Sequence, residues 1–275
     1  MKIGLIQCSA SDDPVANLSM LTSQIRQAAA QGAELILTPE VSNCVSLDRR
    51  HQQKVLCLEE EDPCLAGLRA CGRDLGIWLG VGSLALKTGD ADGRFANRSF
   101  LIDPSGEIVA RYDKIHMFDV AISQRETYRE SDGYRPGDRA VLAETPLGRI
   151  GMTICYDLRF PHLYRRLGQA GAEILLVPAA FSRVTGAAHW EPLLRARAIE
   201  TGCYVLAAAQ TGRHASQSRV RETFGHSMAV APWGEVLLDM GTEPGVAVLE
   251  IDLVEVAQAR AKVPSLITNP SFDGP

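Results

Sequence analysis

Apolar positions run along this chain in two rhythms. Ile3 to Cys8 is a short apolar run, the pattern of a buried strand. From Asn17 to Gln31 the apolar residues Leu18, Leu21, Ile25 and Ala28 return at three- and four-residue steps, which predicts a helix ended by Gly32. Glu34–Leu35–Ile36–Leu37–Thr38 predicts a strand with Pro39–Glu40 at its carboxyl end. Asp62 to Leu75 reads as helix and Ile77 to Leu86 as β. Arg98 to Ile102 and Ile108 to Tyr112 flank the turn sequence Asp103–Pro104–Ser105–Gly106 and predict a hairpin. Arg149 to Cys155 is a strand, His162 to Gln169 a helix, Glu173 to Pro178 a strand, Trp190 to Thr201 a helix and Cys203 to Gln210 a strand. Ser227 to Ala231 and Glu235 to Asp239 bracket Pro232–Trp233–Gly234 as a second hairpin, and Val246 to Ile251 is a late strand. Strands and helices alternate, with antiparallel hairpins among them. The pattern therefore implies an α/β protein with mixed sheets covered by helices. No internal repeat or linker interrupts it. The polar stretch Arg125 to Gly137 reads as a loop inside one domain spanning residues 1–275.

Composition narrows the function. A 275-residue chain that is 46% hydrophobic can bury a sizeable core. The formal net charge is −5 and no basic block stands out, which argues against nucleic acid as a partner. No apolar stretch approaches the roughly 18 residues of a membrane span, and Met1 to Gln7 lacks the features of a secretory signal; a cytoplasmic location is expected. The cysteine count is seven, an odd number that argues against a disulfide framework. Cys57, Cys64 and Cys71 recur every seven residues, as one face of a helical region would, and no Cys-x-x-Cys pair occurs.

Three predicted strand ends carry reactive residues: Glu40, Lys114 and Cys155. Sites in sheets with helices on their faces gather at such ends. Singly, each residue has a plain structural reading: a helix-start acid, a surface lysine, a buried thiol. Rival constellations are weaker. His189, His214 and His226 lack metal-ligand spacing, Gly80–Val81–Gly82 lacks the third glycine of a dinucleotide loop, and no serine sits in a Gly-x-Ser-x-Gly elbow.

Their joint context changes the weight. Leu37–Thr38–Pro39–Glu40, Arg111–Tyr112–Asp113–Lys114–Ile115–His116 and Gly151–Met152–Thr153–Ile154–Cys155–Tyr156–Asp157–Leu158–Arg159–Phe160–Pro161, in this order, resemble the Glu–Lys–Cys signature of the nitrilase superfamily of carbon–nitrogen hydrolases. The resemblance runs over nearly the whole chain. It implies a four-layer αββα sandwich, two mixed sheets face to face with helices outside, and a homodimer. It also implies roles: Cys155 as nucleophile, Glu40 as general base, and Lys114 with the Tyr156 backbone N–H around the oxyanion. The chemistry suits the residue types, because a carboxylate can take a thiol proton and an ammonium can hold an oxyanion. No metal or other cofactor is required. The segment Arg129 to Gly137 resembles the family stretch that supplies a second glutamate; Glu130 is the expected residue and Glu126 the second choice.

Within the superfamily, Val177–Pro178–Ala179–Ala180–Phe181, the run Thr185 to Glu191 and Ala209–Gln210–Thr211–Gly212–Arg213–His214 are similar to the deaminated-glutathione amidases. The implied substrate is a small 2-oxo acid amide. Arg159 is then expected to clamp its carboxylate, with Phe181 and His189 near the pocket. Arg219 and Arg221 receive no role. Other readings are an ω-amidase acting on 2-oxoglutaramate or 2-oxosuccinamate, and another carbon–nitrogen hydrolase such as an N-carbamoyl amine hydrolase. A non-catalytic binding module would be expected to lack Glu, Lys or Cys at these positions, and all three are present.

Overall fold

The computed structural model describes residues 1–122, 127–216, 221–268, 270, 271, 273 and 274. Its first half contains β1 (Lys2–Gln7), α1 (Pro14–Ala30), β2 (Leu35–Leu37), α2 (Arg49–Val55), α3 (Pro63–Leu75), β3 (Trp78–Lys87), β4 (Phe95–Ile102) and β5 (Ile108–Asp113). A short ribbon of β6 (Asp119–Ala121) and β7 (Thr127–Arg129) follows. The second half contains β8 (Val141–Thr145), β9 (Gly148–Met152), α4 (Pro161–Gln169), β10 (Ile174–Leu176), α5 (Arg183–Thr201) and β11 (Tyr204–Ala207). It closes with the ribbon β12 (Thr211–His214) and β13 (Arg221–Phe224), then β14 (Met228–Val230), β15 (Val236–Asp239), β16 (Gly245–Glu250) and α6 (Val254–Lys262).

Among the described residues the main strands form two six-stranded sheets, in the orders β16-β1-β2-β3-β4-β5 and β15-β14-β11-β10-β9-β8. Each has three parallel strands at its centre, one antiparallel strand on one side and an antiparallel pair on the other. The two sheets thus share one pattern of strand directions, although the lone antiparallel strand precedes the parallel three in one (β8) and comes from the far end of the chain in the other (β16).

The period of two along each strand separates the layers. Ile3, Leu5, Leu35, Leu37 and Leu101 point inward and pack with Ile150, Met152, Leu176 and Leu206 of the other sheet. Ile6, Ile36, Leu79, Val81 and Phe100 point outward, under Leu21 and Ile25 of α1 and Leu65 and Leu68 of α3. On the second sheet, Leu163 and Leu167 of α4 and Trp190 and Leu194 of α5 belong to the buried cluster. This is the αββα sandwich. Burying one such leucine contributes about 1.5–3 kcal/mol, so these faces fix the layer order.

Boundaries shift for local reasons. The first helix starts at Pro14 rather than Asn17, because Asp13 accepts from the Val15 and Ala16 N–H groups. The fifth helix starts at Arg183, capped by Ser182, and runs through Pro192. The predicted strand to Cys155 stops at Met152, and Cys155 opens a 3-10 turn. Cys64 and Cys71 are buried on α3, whereas Cys57 lies before that helix. The helices α2 and α6 and both ribbons were not foreseen. No helix among the described residues is long and apolar enough to cross a membrane.

Candidate active site

Strand direction brings the three reactive residues together. Glu40 follows β2 and Cys155 follows β9, both central parallel strands. Lys114 follows β5, which is two antiparallel steps from β3 and so runs the same way as β2. Their carboxyl ends share a rim, and a bond across the two sheets closes it: the Ala180 N–H donates to Glu40 Oε2 at 2.7 Å.

Each residue sits on a turn that its neighbours hold. Beyond Glu40 the chain turns through Val41 at φ 46°, a left-handed conformation that strains a β-branched residue. The Val41 N–H donates to Ser83 Oγ at 2.7 Å, and Gln210 Nε2 donates to the Glu40 carbonyl at 3.0 Å. Cys155 also has a positive φ, 49°, and its N–H donates to the Pro178 carbonyl at 2.9 Å. Asp157, fully buried, holds this turn against the lysine segment. Its Oδ2 accepts from the Ile154 N–H at 2.8 Å and Tyr112 Oη at 2.6 Å, and its Oδ1 from the His116 N–H at 3.0 Å.

Lys114, 2% exposed, is held between two carboxylates. Its Nζ donates to Glu40 Oε1 at 2.8 Å and to Glu130 Oε1 and Oε2 at 3.0 and 2.8 Å. Glu130 Oε2 also accepts from the Phe118 N–H at 2.7 Å. Asn97 Nδ2 bridges Glu40 and Glu130 at 2.9 and 3.3 Å. The protonation states follow from burial and these partners. Burial pushes the Glu40 carboxyl up, but the Lys114 charge and hydrogen bond, Arg221 and the Cys155 hydrogen bond outweigh it and hold the acid below its ordinary value. Burial also opposes the Lys114 charge, yet Glu130 and Glu40 raise it well above its ordinary value. Burial and then the Glu40 charge push the Cys155 thiol well up, against the pull of Lys114. The resting arrangement is a neutral thiol beside an ionised carboxylate and an ammonium.

A cavity of about 390 Å³ opens on these groups, within the range of small-molecule sites. Glu40, Lys114, Glu130, Cys155, Tyr156 and Phe181 line it. Arg159 and His189 are not on its wall. Arg159 Nη1 donates to His189 Nδ1 at 3.2 Å, and its guanidinium lies over the Tyr156 and Phe181 rings at 5.8 and 5.2 Å. Arg159 thus packs on two residues of the wall, Tyr156 and Phe181, rather than lining the cavity itself. Glu126 and Arg219 lie outside the described residues. Sequence reasoning missed Asn97, Arg49, Arg129 and Arg221, all of which line the cavity. Asn97 stands next to Arg98 and Ser99 at the start of β4, so polarity alone did not single it out, and no pattern marked the arginines.

The family model for "Carbon-nitrogen hydrolase" matches residues 2–261. The chain belongs to the carbon–nitrogen hydrolase family. It is 42% identical over 272 residues to a deaminated glutathione amidase of Yersinia enterocolitica, covering 97% of this chain and 92% of that one. Its fold matches the solved NitFhit protein of C. elegans with TM-score 0.89 at 35% identity; the match covers 96% of this chain but 63% of the length of that protein. A Saccharomyces cerevisiae member of branch 10 of the nitrilase superfamily matches with TM-score 0.84 at 26% identity, covering 96% of this chain and 94% of that one.

Proposed function

We propose that this carbon–nitrogen hydrolase is a cysteine-dependent amidase that cleaves deaminated glutathione to 2-oxoglutarate and cysteinylglycine. The observation that carries the reading is the buried Glu40–Lys114–Glu130 cluster closed against Cys155 at the mouth of a small-molecule cavity. The substrate name rests on the similarity to deaminated glutathione amidases.

In this reading Cys155 Sγ attacks the amide carbonyl while Glu40 takes the thiol proton. Negative charge develops on the carbonyl oxygen, and the Lys114 ammonium and the Tyr156 backbone N–H stabilise it. The carbon–nitrogen bond breaks as Glu40 returns the proton to the leaving amine. A thioester remains on Cys155. Water then attacks it with Glu40 as base again, and the acid leaves as the thiol regains its proton. Glu130 keeps Lys114 charged and fixed between two anions. The reading includes a homodimer, for which the exposed Ile199, Trp233 and Val263 around a second cavity beside α5 and α6 offer an apolar face.

The test is a side-by-side assay of deaminated glutathione and 2-oxoglutaramate with Cys155→Ala as control. Faster turnover of the glutathione derivative, abolished in Cys155→Ala, is expected. Faster turnover of 2-oxoglutaramate would make the enzyme an ω-amidase, and turnover that survives Cys155→Ala would remove the nucleophile from the account.

A further inference from the structure

Arg49 stands on the cavity wall with an unmet donor. Its Nη1 is buried and has no hydrogen-bond partner among the described residues. A guanidinium is always charged and offers donors only. A buried donor left unpaired costs about 1–3 kcal/mol, and more when it is charged. The group is nonetheless fixed in place. Its Cζ lies 5.1 Å from the Tyr134 ring centroid, and the Tyr134 hydroxyl accepts from Gln52 Nε2 at 2.9 Å. The space it occupies exists because residue 133 is glycine: an added Cβ would stand 1.4 Å from Arg49 Cζ and 1.6 Å from Nη1.

The nearby acids do not answer it. Glu130 is engaged by Lys114, Asn97 and the Phe118 N–H. Asp132 lines the same cavity, yet no ion pair joins it to Arg49 among the described residues. Arg129 and Arg221 also line the cavity, so beyond the Glu40–Lys114–Glu130 cluster its charged wall is mainly cationic. Arg221 is already spent in part, since its Nη2 donates to the Ala180 carbonyl at 2.7 Å. A preorganised, partly unsatisfied guanidinium suits an anion brought by the substrate, and a planar carboxylate fits its paired donors.

We propose that Arg49 determines specificity by binding a carboxylate of the substrate. The assignment rests on the amidase reading above. Deaminated glutathione carries two carboxylates, one at the 2-oxo acid end and one on the glycine, with the scissile amide between them. Arg49 takes one of the two.

The test pairs variants with trimmed substrates. Arg49→Gln, Arg49→Lys and Gly133→Ala are assayed with deaminated glutathione, with 4-oxopentanoyl-cysteinylglycine, which lacks the 2-oxo acid carboxylate, and with the glycinamide form, which lacks the glycine carboxylate. Arg49→Gln is expected to lower kcat/KM on deaminated glutathione about 30- to 1,000-fold, mainly through KM, with Arg49→Lys between it and the wild type. On one trimmed substrate the variant and the wild type should converge, and that substrate names the carboxylate. Gly133→Ala keeps the charge and displaces only the end of a flexible side chain. It should therefore show a loss in the same direction at an unchanged melting temperature. Equal losses on all three substrates, or undiminished kcat/KM in Arg49→Gln beside an active wild type, would overturn the assignment alone. A wild-type chain inactive on every 2-oxo acid amide would overturn the functional reading and this assignment with it.

Discussion

At the scale of single residues, the site is decided by where protons sit. Glu40 is held below an ordinary value of 4.5, while Cys155 and Lys114 are raised above 9.0 and 10.5. None of the three titrates near neutrality. In the proposed mechanism activity requires the ionised acid, so it should fall as pH drops through the lowered Glu40 value, and it requires the charged lysine, which persists far into alkali. We therefore expect kcat/KM to stay flat between about pH 6 and 8. An inflection near 6.5 in a pH–rate profile would instead point to a histidine base. Asp157 acts through other residues. Replacing it with Asn leaves an amide facing donors that now meet a carboxylate, at a cost of about 1.5–3 kcal/mol per charge-assisted bond lost. Asp157→Asn should lower both the melting temperature and kcat, since the same oxygens hold the Cys155 turn and the Lys114 segment. A normal kcat in a folded variant would show that the turn keeps its shape without this tie. Glu40, Lys114 and Cys155 were legible as candidates because each stands in a distinctive segment at the end of a predicted strand. Arg49 was not, because its meaning depends on a ring and a glycine more than 80 positions away.

At the scale of elements, the long apolar strands and the helices α1, α3, α4 and α5 were legible, and the short polar ribbons were not. The residues of β12 and β13 are mostly polar and make a two-stranded ribbon on their own, so no hydrophobic period marks them. This ribbon carries a pH-dependent tie to the body of the protein. The buried His214 ring bonds the Ala10 carbonyl through Nδ1 and Thr223 Oγ1 through Nε2, each at 2.8 Å. A carbonyl only accepts, so Nδ1 carries the hydrogen and Nε2 accepts from the hydroxyl. Burial lowers this histidine from 6.5 to about 4, with the Arg221 charge adding to the effect. The unfolded chain then binds the proton more readily than the folded one. Its contribution, roughly 3 kcal/mol, is present above pH 6.5 and is lost as pH falls towards 4. Unfolding free energies measured across that window should fall in the wild type and fall less in His214→Gln. Parallel curves would mean that other groups carry the acid sensitivity.

At the scale of the whole molecule, two sheets with the same pattern of strand directions meet so that loops from both complete a single site. The layers follow from alternation along the strands, but the pairing of the two halves rests on close approaches that no periodicity announces. Gly82 is one of them. A Cβ there would lie 1.9 Å from the Thr38 carbonyl oxygen and 2.5 Å from Pro178 Cβ, so the backbone before Glu40 or the opposite sheet must move. Gly82→Ala should destabilise the fold by about 1–3 kcal/mol and depress activity through displacement of Glu40. An unchanged denaturation midpoint would show that the sheets are not in such close contact. In the proposed mechanism both halves deliver their residues to one covalent event at Cys155. The most direct test is mass spectrometry of the enzyme quenched during turnover of deaminated glutathione. A 2-oxoglutaryl adduct mapped to the peptide bearing Cys155, and absent from Cys155→Ala, is expected. An adduct on another of the cysteines, or steady turnover by Cys155→Ala, would contradict it.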